Sequence, residues 1–248
     1  MKMVLNEYRA DLHLHTCLSP CADLTMVPSV FAEKLTEKGV DWIAITDHNT
    51  CRNVPVFSKV LRDHGIEVIT GMEVQTREEV HVLLYFESYE EAFDFEITIV
   101  MPHLKKTKLN PELHGYQLLV NEKDEFTELY NNWLGQSLDL STEELVEYAH
   151  EKGAVVVFAH IFRRFGVIHQ LGVPPNTRCE AVEICSTSEL EKAKTMFKGS
   201  TVILSSDAHF PDQIGSRNCV IRANTRKFQE FKDAIEKGRI LIEWDCAH

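Results

Sequence analysis

The sequence predicts an α/β protein built as a closed or nearly closed barrel of parallel strands. Three observations carry this. Strand-like apolar runs alternate with helix-like segments along most of the chain. Several helix-like segments stop at a glycine, as at Gly39, Gly65 and Gly153. Imidazole and carboxylate residues sit at, or just past, the ends of the strand-like runs. A parallel sheet or barrel gathers its strand ends on one face, so residues scattered along the chain would converge on one site.

Tyr8–Leu12 reads as the first strand and delivers His13 and His15. Ser29–Lys38 has apolar residues at helical spacing and ends at Gly39, a common helix stop. Val40–Thr46 (VDWIAIT) is a buried strand, followed by Asp47 and His48. Val54–His64 reads as a helix, Ile66–Thr70 as a strand ahead of Glu73, and Val80–Phe86 as a strand containing His81. Residues 87–139 are polar and irregular, with Pro102, Pro111 and several asparagines. Within them Glu90–Glu96 has a helical pattern and Tyr116–Val120 that of a short strand. Long loops in compact domains tend to be functional or mobile, so an insertion or lid is expected here. Ser141 and Thr142 followed by Glu143 and Glu144 mark a helix start, running to Lys152. Strand Ala154–Ala159 leads to His160, and an irregular segment continues to Pro175. Strand Ala181–Cys185, helix Ser188–Phe197 and strand Thr201–Ser205 follow, the last ahead of Asp207 and His209. Helix Thr225–Lys237 and strand Arg239–Ile242 close the pattern. About seven strands alternating with helices point to right-handed crossovers. The 248 residues fit one barrel domain spanning residues 1–248.

Hydrophobic content of 44% and charged content of 26% are those of an ordinary globular chain. No run of about 18 apolar residues and no apolar signal-peptide core are present, so neither a membrane span nor export is expected. The seven cysteines are odd in number and form no CxxC pair, which suggests reduced thiols in a cytoplasmic protein. A net charge of −12 argues against broad binding to long nucleic acid or anionic membrane, while leaving room for a basic patch that grips one phosphate. The glycine-rich, nucleophile-elbow and HExxH signatures are missing.

The remaining chemistry is that of metal ligands. On a strand, residues two apart point the same way, so His13 and His15 can reach one ion. Cys21 or Asp23 in the following loop offers another donor. Asp47 and His48 follow a strand, although Asp and Asn also favour turns. The two oxygens of Glu73 can bridge two ions. His81 lies in an apolar run, where a lone histidine is more often a core residue. His160 precedes Arg163 and Arg164, whose forked donors suit phosphate. Asp207 and His209 form a second alternating pair. Glu183, in AVEIC, reads either as structural or as a support for a ligand. His64, His103, His114, His150, His169 and His248 take the ordinary reading. Each motif alone is matched by a bland alternative; their joint placement after strand upon strand is not.

HLHT (His13, His15), TDHN (Asp47, His48), GME (Glu73), the strand histidine His81, AH (His160) and SDAH (Asp207, His209) resemble the motifs of the PHP (polymerase and histidinol phosphatase) superfamily, over roughly residues 8–86 and 141–242. The resemblance implies a distorted (β/α)7 TIM-like barrel with a trinuclear metal centre at the strand C-termini. On it, His13, His15, Glu73 and Asp207 hold the first ion. Glu73 bridges to a second ion on His81 and His160. His48 and His209 hold the third, and Asp47 orients a neighbouring histidine. Family members usually add an Asp, Glu or His from the loop after HxH; here the candidates are Cys21 by spacing and Asp23 by chemistry. A thiolate favours zinc, and a carboxylate keeps manganese or iron in play.

The implied function is hydrolysis of a small phosphomonoester or nucleotide-like phosphate, assisted by two or three divalent ions (zinc, manganese or iron). Arg163, Arg164 or Arg217 would bind phosphate oxygens, and His48 or His209 would stand near the leaving oxygen. The expected partner is a small phosphorylated metabolite, with long nucleic acid and membranes disfavoured. The competing readings are a PHP-type exonuclease and a catalytically silent metal-binding domain. An amidohydrolase-like C–N hydrolase often needs a lysine ligand, and no lysine stands at a strand tip.

Overall fold

The computed structural model describes residues 5–242, so Cys246 and His248 lie outside the described residues. Eleven strands form: β1 (Asn6–Leu14), β2 (Trp42–Ile45), β3 (Glu67–Gln75), β4 (His81–Phe86), β5 (Leu118–Val120), β6 (Phe126–Leu129), β7 (Val155–Phe158), β8 (Ala181–Ile184), β9 (Thr201–Leu204), β10 (Cys219–Ala223) and β11 (Ile240–Leu241). Nine of them make one sheet in the order β11-β10-β1-β2-β3-β4-β7-β8-β9, and β5 and β6 pair separately. The chain just past β9 returns to the upper end of β1: Leu14 bridges Ala208, and His15 N donates to Ala208 O at 3.1 Å. Lower down, the same side of β1 is taken by β10, from Asn6↔Ala223 to Ala10↔Cys219. The result is a nearly closed, distorted TIM-like barrel.

The expectation of uniformly parallel strands needs correction. β1, β2 and β3 are parallel, as are β7, β8 and β9, but β4 runs antiparallel to both β3 and β7, and β10 antiparallel to β1 and β11. A parallel crossover needs a dozen or more residues. β3 runs on through Glu73 to Gln75, and a tight turn at Glu79 (φ 61°) sends the chain straight back into β4. β4 therefore begins at the barrel mouth, with His81 as its first residue opposite Gln75.

Two apolar clusters hold the sheet. Inside the barrel, Ala10, Leu12, Trp42, Ala44, Leu83, Tyr85, Val155, Val157 and Ile203 pack together, and helix Phe228–Glu236 plugs the lower end with Phe231, Ala234 and Ile235. Outside, helices Pro28–Lys38, Val54–Asp63 and Thr142–Glu151 bury Phe31, Leu35, Phe57, Leu61 and Leu145. The helix start at Ser141 is a capping box: Ser141 N donates to the Glu144 carboxylate at 2.8 Å, and Glu144 N to Ser141 Oγ at 3.2 Å. Gly39 ends its helix at φ 64°, a left-handed conformation that a Cβ would strain.

Residues 87–139 carry more regular structure than their polar composition suggests. Helix Tyr89–Phe95 runs into a π-helical turn, Glu96–Val100, and the β5–β6 hairpin follows a one-turn helix, Pro111–His114. Phe95, Val100, Leu104, Leu134 and Leu138 join the outer core. Glu96 is buried and ties this region to the loop after β2, accepting from Thr50 Oγ1 (2.9 Å), Cys51 N (3.0 Å) and Arg52 Nε (2.6 Å). Among the described residues no helix is long and apolar enough to cross a membrane.

Candidate metal centre

The alternation of β1 places Ala10 and Leu12 inside the barrel, which would send His13 outward. A register break prevents this. Asp11 pairs with Ile43 and Leu14 with Ile45, three steps on β1 against two on β2. The extra residue is a β-bulge, and bulges re-aim the side chains that follow. Past it His13 and His15 both turn into the mouth and are fully buried.

There they meet residues from five other segments. Around the carboxylate of Glu73 stand His13 Nε2 (3.4 Å), His15 Nε2 (3.4 Å), His48 Nδ1 (3.0 Å), His81 Nδ1 (2.8 Å) and His160 Nε2 (3.2 Å). Asp207 Oδ1 lies 3.4 Å from His13 Nε2 and 3.5 Å from His15 Nε2. His160 and Asp207 both have left-handed backbones (φ 27° and 53°), conformations that cost a non-glycine residue about 1–3 kcal/mol and cluster at working sites.

The donor set fits divalent cations. A neutral imidazole has one N–H and one lone pair. His13 Nδ1 lies 3.0 Å from a Glu183 carboxylate oxygen, which can only accept, so its proton is there and Nε2 carries the lone pair. Ser19 Oγ donates to Asp47 Oδ1 at 2.7 Å and must therefore accept from His15 Nδ1 at 2.9 Å. His15 Nε2 is then a lone pair too. The two lone pairs face each other at 3.1 Å beside two carboxylates, an arrangement of acceptors with no donor of its own. His81 Nδ1 and His160 Nδ1 are buried without a hydrogen-bond partner, close though His81 stands to Glu73. A cation between His13 and His15 resolves their facing lone pairs.

The electrostatics agree. Burial works against a proton on His13, yet Glu183, Asp207 and Glu73 overcome it and hold that imidazole's pKa well above the ordinary value. Burial likewise opposes charge on Glu73 and Asp207, and the surrounding histidines nonetheless lower both. His81 is brought down to about 4 by its desolvation, which keeps it neutral and able to ligate. Protons and metal ions compete for the same lone pairs.

At the outer edge of this cluster, one ring nitrogen from each of His15, His48 and His209 lies within 4.8 Å of the other two. Cys21 Sγ is 3.2 Å from His48 Nε2, and the two imidazoles of His48 and His209 lower its thiol to about 5 against the opposing effect of burial. Asp23 is placed differently: its Oδ1 accepts from Thr25 N at 2.9 Å and from Thr25 Oγ1. Asp47 touches no imidazole. It accepts from Thr16 N, Thr16 Oγ1 and Ser19 Oγ, each at 2.7 Å, and reaches His15 through that serine.

The arginines divide. Arg163 and Arg164 are exposed at the rim, Arg164 lying over the Phe165 ring at 4.6 Å. Arg217 also borders the rim, but its guanidinium donates to the carbonyls of Cys185 and Ser206. A cavity of 690 Å³ opens beside the cluster, walled by Cys21, His48 and His81 on one side and by Lys105, Trp133 and Arg164 on the other.

Two supporting residues have little signal in the sequence. Glu183 holds both His13 Nδ1 and His160 N (2.9 Å). Asp11, pushed up to about 6 by burial, accepts from Ser206 N and Gly215 N at 3.0 Å each and fixes the loop that carries Asp207 and His209. A carboxylate inside an apolar strand is the only hint either one gives.

The chain matches the PHP domain family over residues 11–166 and the PHP-associated family over residues 198–240. It is 29% identical over 105 residues to the PolC-type DNA polymerase III of Thermotoga petrophila, a match covering 42% of this chain and 8% of the polymerase. Among solved structures it is similar to the lesion-specific endonuclease EndoQ of Pyrococcus furiosus (20% identity, TM-score 0.71, 96% of this chain and 58% of that one). It is also similar to a two-domain protein of Bacteroides vulgatus containing a predicted PHP-like metal-dependent phosphoesterase (17% identity, TM-score 0.58, 96% of this chain and 65% of that one). These structural likenesses are of fold. The chain spans less than half the length of the first curated relatives it matches, 46% and 8%. With more than half of its residues inside the PHP domain match, the chain belongs to the PHP family.

Proposed function

We propose that this protein is a metal-dependent phosphoesterase that hydrolyses a small phosphomonoester or nucleotide-like phosphate, with residues 1–248 forming one catalytic domain. The observation that carries this is the set of five imidazoles around Glu73, with facing lone pairs and an open basic rim. His13, His15, Glu73 and Asp207 would hold one ion, and Glu73 with His81 and His160 a second. His48 and His209 stand where a third would bind. Two or three divalent ions (zinc, manganese or iron) would neutralise phosphate charge and make hydroxide available near neutral pH.

The chain's own groups do the rest. Glu183 fixes the tautomer of His13, and Asp47, through Ser19, that of His15. Arg163 and Arg164 are free at the rim to bind phosphate oxygens, whereas Arg217 has only the unused part of its fork to offer. His48 or His209, when not engaged by an ion, is placed to protonate the leaving oxygen. Residues 87–139 wall the substrate side as a lid.

A second reading, a nuclease, is favoured by Lys105 standing with Arg164 on the cavity wall and by the likeness to an endonuclease. A phosphate-release screen over a metabolite panel, with manganese, iron and zinc supplied separately and labelled single strands in parallel, decides. Release from small esters, lost in Glu73→Ala, is expected. Strand degradation without phosphate release moves the reading to the nuclease. A fully metal-loaded protein that turns over neither substrate class is the silent domain, and the proposal fails.

A further inference from the structure

We propose that the pocket walled by Arg9, Lys38 and Arg217 is a second anion site, outside the metal centre, that takes a small phosphorylated sugar or polyol. It stands apart from the reading of the mouth as a phosphoesterase centre and does not rest on it.

The pocket holds 610 Å³ where the loop after β8, the end of β9 and the loop before β10 meet β1 and the end of helix Pro28–Lys38. Arg217 is the one residue it shares with the smaller cavity beside Asp207 and His209. Among the described residues three cations line it and no carboxylate does. In a chain of net charge −12, that is a local reversal of sign. Like charges gathered around one space repel each other, and an anion placed among them turns the repulsion into attraction.

The cations are held in place. Arg217 donates to the carbonyls of Cys185 (2.9 Å) and Ser206, which fixes its plane and leaves the rest of its five donors. Lys38 donates to Asp212 O at 3.0 Å and keeps two N–H groups. Its stem lies beside Gly215, where a Cβ would come within 3.2 Å of Lys38 Cδ. Gly215 is itself in the left-handed region (φ 66°), and its N–H donates to Asp11 at 3.0 Å. Arg9 also attracts Asp41, and a guanidinium has donors for both that carboxylate and a ligand. Donors already fixed in this way lose little freedom when an anion arrives.

The rest of the wall selects the ligand. Ser186, Thr187, Ser216 and Asn218 offer hydroxyl and amide groups, while Leu204 and Cys185 are the apolar side chains. Among the described residues no aromatic ring lines the pocket to stack a base. A volume of this size holds a small metabolite and not a phosphate group alone. Cations for the phosphate and polar groups for the remainder match a hydroxylated phosphate ester.

The test is isothermal titration of the metal-loaded chain with orthophosphate and with the phosphonate analogue of a pentose 5-phosphate, whose C–P bond resists phosphoesterases. Arg9→Gln and Lys38→Gln should each weaken one binding component about tenfold or more, the loss of one charged hydrogen bond. Lys38→Arg should keep it. That component should bind the phosphonate more tightly than orthophosphate and should be unchanged in Arg163→Ala, which alters the mouth alone. Lys198→Ala removes an exposed charge elsewhere and should also leave it unchanged, with circular dichroism showing every variant folded. A titration in which no component responds to Arg9 and Lys38, or in which Lys198→Ala weakens it equally, overturns the site. Equal affinity for the two probes overturns the ligand class. A chain whose mouth hydrolyses no ester, yet whose binding responds to Lys38, breaks the functional reading and leaves this one standing.

Discussion

The two ends of the barrel are made by the same strands and could hardly differ more. At the lower end, Trp42 and Tyr85 meet Phe231 edge to face, with ring centroids 6.1 and 5.4 Å apart, and the Tyr85 hydroxyl is satisfied by Leu12 O at 2.7 Å. At the mouth, β1 supplies His13 and His15, the end of β2 leads to Asp47 and His48, and β4 opens on His81. Their lone pairs face each other, and two backbones are strained. One end is complementary to itself; the other is complementary to something that must be added. A barrel tolerates such a mouth because its packed lower end and outer helices supply the stability.

The largest effect should come from breaking the lower end. Phe231→Ala empties a fully buried aromatic site in the plug and should cost about 3–5 kcal/mol in urea denaturation of the chelated protein. Metal stoichiometry at saturation should not change. A matching loss of metal would show that the two ends are not separable. Next in size is removal of the ions themselves. Counted for a single ion present at about 100 times its dissociation constant, chelation should remove about 2.7 kcal/mol of stability. That loss should add to the Phe231→Ala loss to within about 0.5 kcal/mol, because the sites share no partners.

The contrast also explains what could be read from the sequence. Helices ending at glycines and apolar strand runs obey local rules, so segments such as Thr142–Glu151 and Val155–Phe158 were legible. The direction of β4 was not: Val80–Phe86 reads the same both ways, and only the tight turn at Glu79 reverses it. The alternation of His13 and His15 was legible, but not why they face inward, because a bulge leaves no mark in a period-two pattern. Glu183 and Asp11 were ambiguous for a related reason. A buried carboxylate in a strand acquires meaning only from the donors that other strands bring to it. Residues 87–139 hid their order because their buried apolar residues follow no single period.

A subtler perturbation of the mouth is Glu183→Gln. It keeps the shape and removes the charge that fixes the His13 tautomer. Losing such a supporting carboxylate typically weakens metal binding about 10–100-fold. At about 1.4 kcal/mol per tenfold, that is roughly 1.4–2.7 kcal/mol. Isothermal titration with zinc measures it. The near-ultraviolet circular dichroism of the aromatic lower end should stay as it is; a changed spectrum would mean that Glu183 supports the whole barrel rather than its mouth.

The smallest effect is expected from Arg163→Ala, which separates binding from structure at the mouth itself. Arg163 is exposed, and its guanidinium makes no hydrogen bond or ion pair among the described residues. Removing it should leave the denaturation midpoint within about 0.5 kcal/mol of the wild type. If it grips a phosphate oxygen, KM should rise about two- to tenfold, equivalent to about 0.5–1.5 kcal/mol of one net hydrogen bond, with kcat little altered. Arg217→Ala supplies the opposite behaviour, since it abandons the carbonyls of Cys185 and Ser206 and should lower stability first. Steady-state kinetics on the best ester, run beside denaturation of both variants, makes the distinction. An Arg163→Ala protein with unchanged KM would remove this arginine from the phosphate site and leave Arg164 as the rim's remaining free guanidinium.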